Sequence, residues 1–178
     1  MSKSSKKISA GLDTAAIRAA AEHIGDGPVT QGYKADREKV IAMLNGALAT
    51  ELVCILRYKR HYYTVSGLQN GPIKAEFLEH AMQEQEHADW LAERIVQLNG
   101  KPDLNPATLL QRSHAEYDES DTVRSMVKAN LIAERVAIES YRQMIEQIGD
   151  TDPTTNHLLT KIMAVEEEHA DDMRDLLE

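Results

Sequence analysis

Two short stretches, QEQEHADWL at residues 83–91 and EEEHADDM at residues 166–173, repeat Glu-x-x-His-Ala-Asp within otherwise apolar helical periodicity. A carboxylate on the apolar stripe of a helix is carried into the core when that helix packs, and an unpaired charge there is strongly destabilising. The fold must therefore bring these acids to protons or to cations.

The stripes define four long helical segments. From about Asp36 to Ser66, Ile41, Leu44, Leu48, Ile55 and Tyr58 recur at steps of three and four, and Glu51 falls on the same line. A turn at GLQNGP (67–72) leads into a second segment, striped by Phe77, Ala81, Glu84, Ala88, Leu91, Ile95 and Leu98 and stopped at Asn99-Gly100. The third spans about Asp121 to Gly149 with Val127, Leu131, Glu134, Ile138, Tyr141, Ile145 and Ile148. Asp152-Pro153 supplies a cap and first residue for the fourth, striped by Leu159, Ile162, Glu166, His169, Met173 and Leu176. Four amphipathic helices predict an all-α, antiparallel four-helix bundle over residues 36–178. The long connection between the second and third segments has room for a short helix at PATLLQRS (106–113). An N-terminal extension of residues 1–35 combines a Ser- and Lys-rich tail, expected to be disordered, with a short helix at 13–24.

The first and third segments also match each other: ELVCILRY (51–58) and ERVAIESY (134–141) share Glu-x-Val-x-Ile-x-x-Tyr, so the chain is two similar helical hairpins. Glu51 precedes Glu84 by 33 residues and Glu134 precedes Glu166 by 32. At a rise of about 1.5 Å per residue, Glu51 and Glu84 lie about 22 and 18 Å from their shared turn, and Glu134 and Glu166 about 21 and 20 Å. Packing the hairpins together gathers Glu51, Glu84, His87, Glu134, Glu166 and His169 into one layer. One Glu from each of two helices and Glu-x-x-His from each of the other two is the ligand pattern of di-iron and di-manganese bundles. Carboxylate with imidazole suits iron or manganese, and the lack of thiolates argues against structural zinc. Tyr58 and Tyr141, two turns beyond Glu51 and Glu134, are either core aromatics or phenols that hydrogen-bond a ligand carboxylate. Glu86, Glu167, Glu168, Asp89, Asp171 and Asp172 are expected to face solvent.

Composition narrows the partners. With 20 basic against 29 acidic residues the formal charge is −9, which disfavours nucleic acid and anionic membranes and favours cations. Hydrophobic residues make up 42% and aromatics only 4%, enough for one core built of helices. The single cysteine, Cys54, gives no disulfide framework and reads as a small buried residue. With no transmembrane segment expected, the reading is a cytoplasmic protein without a membrane partner.

The same residues resemble the bacterioferritins of the ferritin-like superfamily across roughly residues 36–175. The resemblance is carried by ELVCILRYKRHYY with its Glu51, Tyr58 and His61 spacing, HADWLAERIVQLNGKPDL, LIAERVAIESY and EEEHADDM. It implies a ferroxidase centre of two iron ions per subunit, with manganese or zinc as possible substitutes. There Fe(II) is oxidised by O2 or H2O2 and fed to a ferric mineral inside a hollow homo-oligomeric shell. By position, Glu51 with His87 and Glu134 with His169 would be terminal ligands, and Glu84 and Glu166 bridges. Gln85 stands where a haem-binding relative carries Met, so haem is not expected. Only nine residues follow His169, leaving no room for the fifth helix of twenty-four-subunit shells. That shortfall, the long connection and the Lys-bearing tail are similar to the twelve-subunit DNA-protection-during-starvation (Dps) proteins, so twelve subunits are expected rather than 24. The standard members of that group place iron between subunits, however. The closest description is a Dps-like mini-ferritin with a bacterioferritin-type di-iron centre. Lys3, Lys6 and Lys7 would offer weak, multivalent DNA contacts. The rival readings are a di-iron or di-manganese oxidase or catalase acting on a small substrate, and a Dps-type DNA-binding protective shell.

Overall fold

The computed structural model describes residues 11–178, so Lys3, Lys6 and Lys7 lie outside the described residues. Six α-helices follow in order: α1 (Thr14–Ala20), α2 (Arg37–Thr64), α3 (Gly71–Gln97), α4 (Leu109–Arg112), α5 (Val123–Ile148) and α6 (Pro153–Asp175). Among the described residues there is no β-strand. The four long helices form the expected bundle, with α2 packed along α3, α5 along α6, and the two hairpins joined through α2–α5 and α3–α6 contacts.

Local chemistry sets the ends. Asp36 caps α2 by accepting from the Lys39 amide, and Asp152 caps α6 by accepting from the Thr155 amide ahead of Pro153. The third long helix starts slightly later than the sequence suggests, because Thr122 and Ser125 form a reciprocal capping box. The first helix stops at Ala20, short of the expected residue 24, and buries none of its residues. At the end of α3 the left-handed residue is Asn99, with φ 62°. Gly100 is needed there for a different reason: a Cβ on it would meet Ile41 and Ile95 side-chain atoms at 3.0 Å.

The connection between hairpins fixes their relative direction. It follows α2 from its first half toward its C-terminus: Asn45 accepts from the Asp103 amide, Thr50 from the His114 amide, Arg57 donates to the Glu116 carbonyl, and Arg60 to that of Ser120. Helix α5 therefore begins beside the C-terminal end of α2 and runs antiparallel to it. Leu44, Leu48, Leu91, Ile95, Leu159 and Ile162 are fully buried on one side of the ligand layer, each contributing about 1.5–3 kcal/mol by leaving water. Tyr58, Phe77, Ala81, Met126, Val127 and Met173 close the other side. Two expected stripes are rotated slightly. On α5 the buried line is Met126, Asn130, Glu134, Ala137, Tyr141, Met144 and Ile148, while Leu131, Ile138 and Ile145 are only half-buried, because α5 packs against both α2 and α6. On α2, Ile41 is half-buried and Val40 takes the core position. Ahead of the bundle, Val29, Tyr33 and Ala35 pack on the core, and Tyr33 donates to Asp152 at 2.8 Å.

Candidate metal centre

Each long helix contributes to one buried layer. Glu51 comes from α2, Glu84 and His87 from α3, Glu134 from α5, and Glu166 and His169 from α6, and none is more than 2% exposed. The structure brings all six together as two overlapping groups: Glu51, Glu84, His87 and Glu166 in one, Glu84, Glu134, Glu166 and His169 in the other. Within each group the ligand atoms lie within 4.8 Å of one another. His87 Nδ1 is 3.4 Å from Glu51 and Glu84 and 2.8 Å from Glu166. His169 Nδ1 is 3.8 Å from Glu84, 3.9 Å from Glu134 and 3.5 Å from Glu166. Glu84 and Glu166 belong to both groups.

Most polar atoms of this layer have no hydrogen-bond partner. Both oxygens of Glu84 and Glu166, one oxygen each of Glu51 and Glu134, and Nδ1 of both histidines are buried without a hydrogen-bond partner. Such orphans are rare in a folded core. Here they converge on one volume, which fits a pair of cations and the hard and borderline donors that iron and manganese prefer.

The ferritin family model, for the ferritin-like domain, matches residues 41–178. The chain belongs to the ferritin-like family. Within it, the chain is of the Dps and bacterioferritin type. A nutrient stress-induced DNA-binding protein from Synechococcus is 30% identical over 132 residues, covering 71% of this chain and 74% of the relative. Among solved structures, a dodecameric thioferritin related to bacterioferritin, from Bacteroides fragilis, is 33% identical with a TM-score of 0.77, covering 81% of this chain and 87% of its own. The bacterioferritin of Desulfovibrio desulfuricans, solved with its di-iron site in different catalytic states, is 26% identical with a TM-score of 0.71, covering 79% of each chain.

Crowding of charge sets the protonation of this ferritin-like layer. Burial, then the carboxylates of Glu166, Glu51 and Glu134, pushes Glu84 well above the usual carboxylate range, and burial with Glu51 pushes Glu166 up to about 7. Burial opposes the charge of both histidines, but the adjacent carboxylates of Glu166 and Glu51 raise His87 to about 9, and those of Glu134 and Glu166 raise His169 to about 10. Glu51 and Glu134 go the other way despite their burial. Glu51 is lowered by Glu84, His87 and Tyr141, and Glu134 is held down to about 2 by His169, Glu166 and Arg57. These shifts favour the protonated forms of Glu84, His87 and His169 and bring Glu166 close to neutrality, and binding of cations would displace such protons.

The tyrosines cross between hairpins. Tyr58 of α2 donates to Glu134 of α5 at 2.5 Å, and Tyr141 of α5 donates to Glu51 of α2. The shared Glu-x6-Tyr spacing thus orients each hairpin's glutamate with the other's phenol. Several surrounding residues were not singled out by periodicity. Arg57 is fully buried 4.0 Å from Glu134, and donates to Asn130 Oδ1, the Glu116 carbonyl and Cys54 Sγ. His169 donates from Nε2 to Gln83 at 2.7 Å, and its ring stacks on buried His80 at 3.9 Å. The signal for Arg57 was its place on the line Cys54, Arg57, His61; that for His80 was its spacing two turns before His87. The outward acids are exposed as expected, but Asp172 also reaches His80. Gln85 is exposed and donates to Asp89.

Proposed function

We propose that this chain is a ferroxidase that oxidises and sequesters iron, with Glu51, Glu84, His87, Glu134, Glu166 and His169 holding two Fe(II) ions as substrate within one subunit. The observation that carries the reading is the pair of overlapping, unsatisfied carboxylate–imidazole groups sharing Glu84 and Glu166. Each Fe(II) gives up one electron; the pair reduces O2 and two protons to H2O2, or H2O2 and two protons to two waters. The residues meet the added charge in stated ways. Glu84 and Glu166, unpinned by hydrogen bonds, are the acids free to change their mode of ligation. Glu51 and Glu134 are held by Tyr141 and Tyr58. The His87 and His169 protons leave as cations enter.

The product is proposed to collect inside a hollow homo-oligomer of twelve subunits rather than 24, which the dodecameric relative supports. The proposed setting is cytoplasmic and away from membranes. Helix α2 is long and apolar enough to cross a bilayer by length and composition, but it carries buried Glu51 and its apolar residues build the bundle core. The division into an extension over 1–35 and a bundle domain over 36–178 is part of the same proposal. DNA binding through the tail is a separate question, answered by a low-salt gel shift with and without residues 1–12.

Anaerobic addition of Fe(II) followed by air tests the main reading. The expected result is ferric absorbance that continues beyond two irons per chain, and at least a hundredfold slower oxidation in the Glu84→Ala, Glu166→Ala double variant. Oxidation that stops at two irons would favour an oxidase or catalase acting on a small substrate. An unchanged rate in the variant removes the shared glutamates from the chemistry.

A further inference from the structure

A third cluster of ligand-type side chains lies outside the six-residue layer. Glu76 precedes His80 by one turn of α3, and Asp172 follows His169 on α6, so all three meet beside the layer. His80 Nε2 is 3.2 Å from Glu76 Oε1 and 3.5 Å from Asp172 Oδ2. The imidazole is 2% exposed, while the two carboxylates are 34% and 53% exposed. The cluster is therefore open to water on its carboxylate side and closed behind by the ring.

The hydrogen bonds around Tyr58 decide which His80 atom faces the acids as a lone pair. Tyr58 has one hydroxyl proton, and it goes to Glu134 at 2.5 Å. The phenol oxygen is then an acceptor for His80, and the 3.1 Å contact to Nδ1 places the ring proton there. With that proton on Nδ1, Nε2 is the ring atom that faces the carboxylates of Glu76 and Asp172. A cation held between Nε2 and the two carboxylates would satisfy all three groups together. Ligand atoms about 2.1 Å from a shared divalent ion lie about 3 to 3.4 Å apart, close to the separations His80 makes here.

We propose that Glu76, His80 and Asp172 form an accessory site for a divalent cation, and that it stages cations entering the deeper layer on its His169 side. Imidazole with two carboxylates suits Fe(II), Mn(II) or Zn(II). The exposed acids would collect the ion from water, and the His80 ring stacked 3.9 Å from that of His169 puts it next to the buried ligands. The staging role rests on the deeper layer being a metal centre; the site itself does not.

Equilibrium dialysis of the full chain against Co(II) without oxygen tests both parts. Three cobalt ions per chain are expected in the wild type, two in Glu76→Gln, Asp172→Asn, and one in Glu84→Ala, Glu166→Ala. Stopped-flow cobalt absorbance should show the deeper layer filling at least threefold more slowly in the Glu76→Gln, Asp172→Asn chain. The same cobalt count in that variant and the wild type overturns the accessory site. A lost third cobalt with an unchanged filling rate overturns staging. A wild type holding one cobalt, lost in the Glu76→Gln, Asp172→Asn chain, supports the accessory site while removing the deeper layer as a metal centre, so the two readings fail separately.

Discussion

The two halves of the ligand layer share ligands and differ in what surrounds them. Around Glu134 and His169 the chain places Arg57, Asn130, His61, His80 and Gln83, all buried except half-buried Gln83. Applying the repeat, the equivalent positions around Glu51 and His87 are Ser140, Ala47, Met144, Ile162 and Val165. There the imidazole of His87 lies beside Trp90, with ring centroids 5.5 Å apart, and 6.2 Å from the ring of His169. A two-fold pattern of acids and tyrosines has been set into one polar and one apolar half. Ligands at a shared centre can be duplicated, but a buried guanidinium needs a shell of acceptors, and only one half builds it.

The largest expected effect breaks that shell. Arg57→Met should destabilise the protein by about 3 kcal/mol or more, because it strips Asn130 Oδ1 and the Glu116 carbonyl of their donor and removes the cation beside Glu134. Ser140→Ala, at the matching position, should cost about 0.5 kcal/mol or less, since its hydroxyl only returns to the Val136 carbonyl of its own helix. Urea unfolding at one fixed protein concentration measures both. Equal losses would show that the apparent inequality of the halves has no energetic content.

The repeat was readable because ligands and tyrosines sit on long apolar stripes whose registers match between hairpins. Four long helices and the meeting height of Glu51, Glu84, Glu134 and Glu166 followed from that periodicity and the rise of a helix. The shell was not readable in the same way. Arg57, His61 and His80 are polar types that periodicity assigns to solvated faces, and each becomes buried only because a segment far along the chain covers it. Arg57 is covered by the connection at Glu116 and by Asn130; His61 lies 3.3 Å from Asp118; His80 faces Asp172 on α6. The Asn99-Gly100 stop shows the same limit: sequence marked the turn, but the need for glycine at 100 depends on the approach of Ile41 and Ile95.

The second effect concerns protons. Glu84 and Glu166 are raised, Glu166 to about 7, and His87 and His169 are raised to about 9 and 10. All four must be deprotonated to ligate, so protons compete with metal below these values and metal affinity should rise with pH, by about tenfold or more from pH 6 to 8. Calorimetric Co(II) titrations in buffers of different ionisation enthalpy should find at least two protons released per chain at pH 7. No release would mean that the layer does not store protons. A chain lacking Glu134 should release fewer protons, since one of the two carboxylates that favour the charged form of His169 is gone.

A third effect uses the crossed tyrosines. Tyr58 makes two buried contacts, donating to Glu134 and accepting from His80, whereas Tyr141 is joined to Glu51 by one. At about 1 kcal/mol per hydrogen bond, Tyr58→Phe should cost about 2 kcal/mol and Tyr141→Phe about 1. The Tyr58 variant also leaves the His80 Nδ1 proton without an acceptor, so the ring can shift its proton to Nε2 and donate to Glu76. That shift would make the polar half resemble a closed ion pair and weaken cobalt at the accessory cluster by about fivefold or more, while Tyr141→Phe should leave it unchanged. Equal unfolding costs with unchanged cobalt affinity in both variants would mean that the Tyr58–His80 contact does not set the tautomer, and the two halves would then differ only at Arg57.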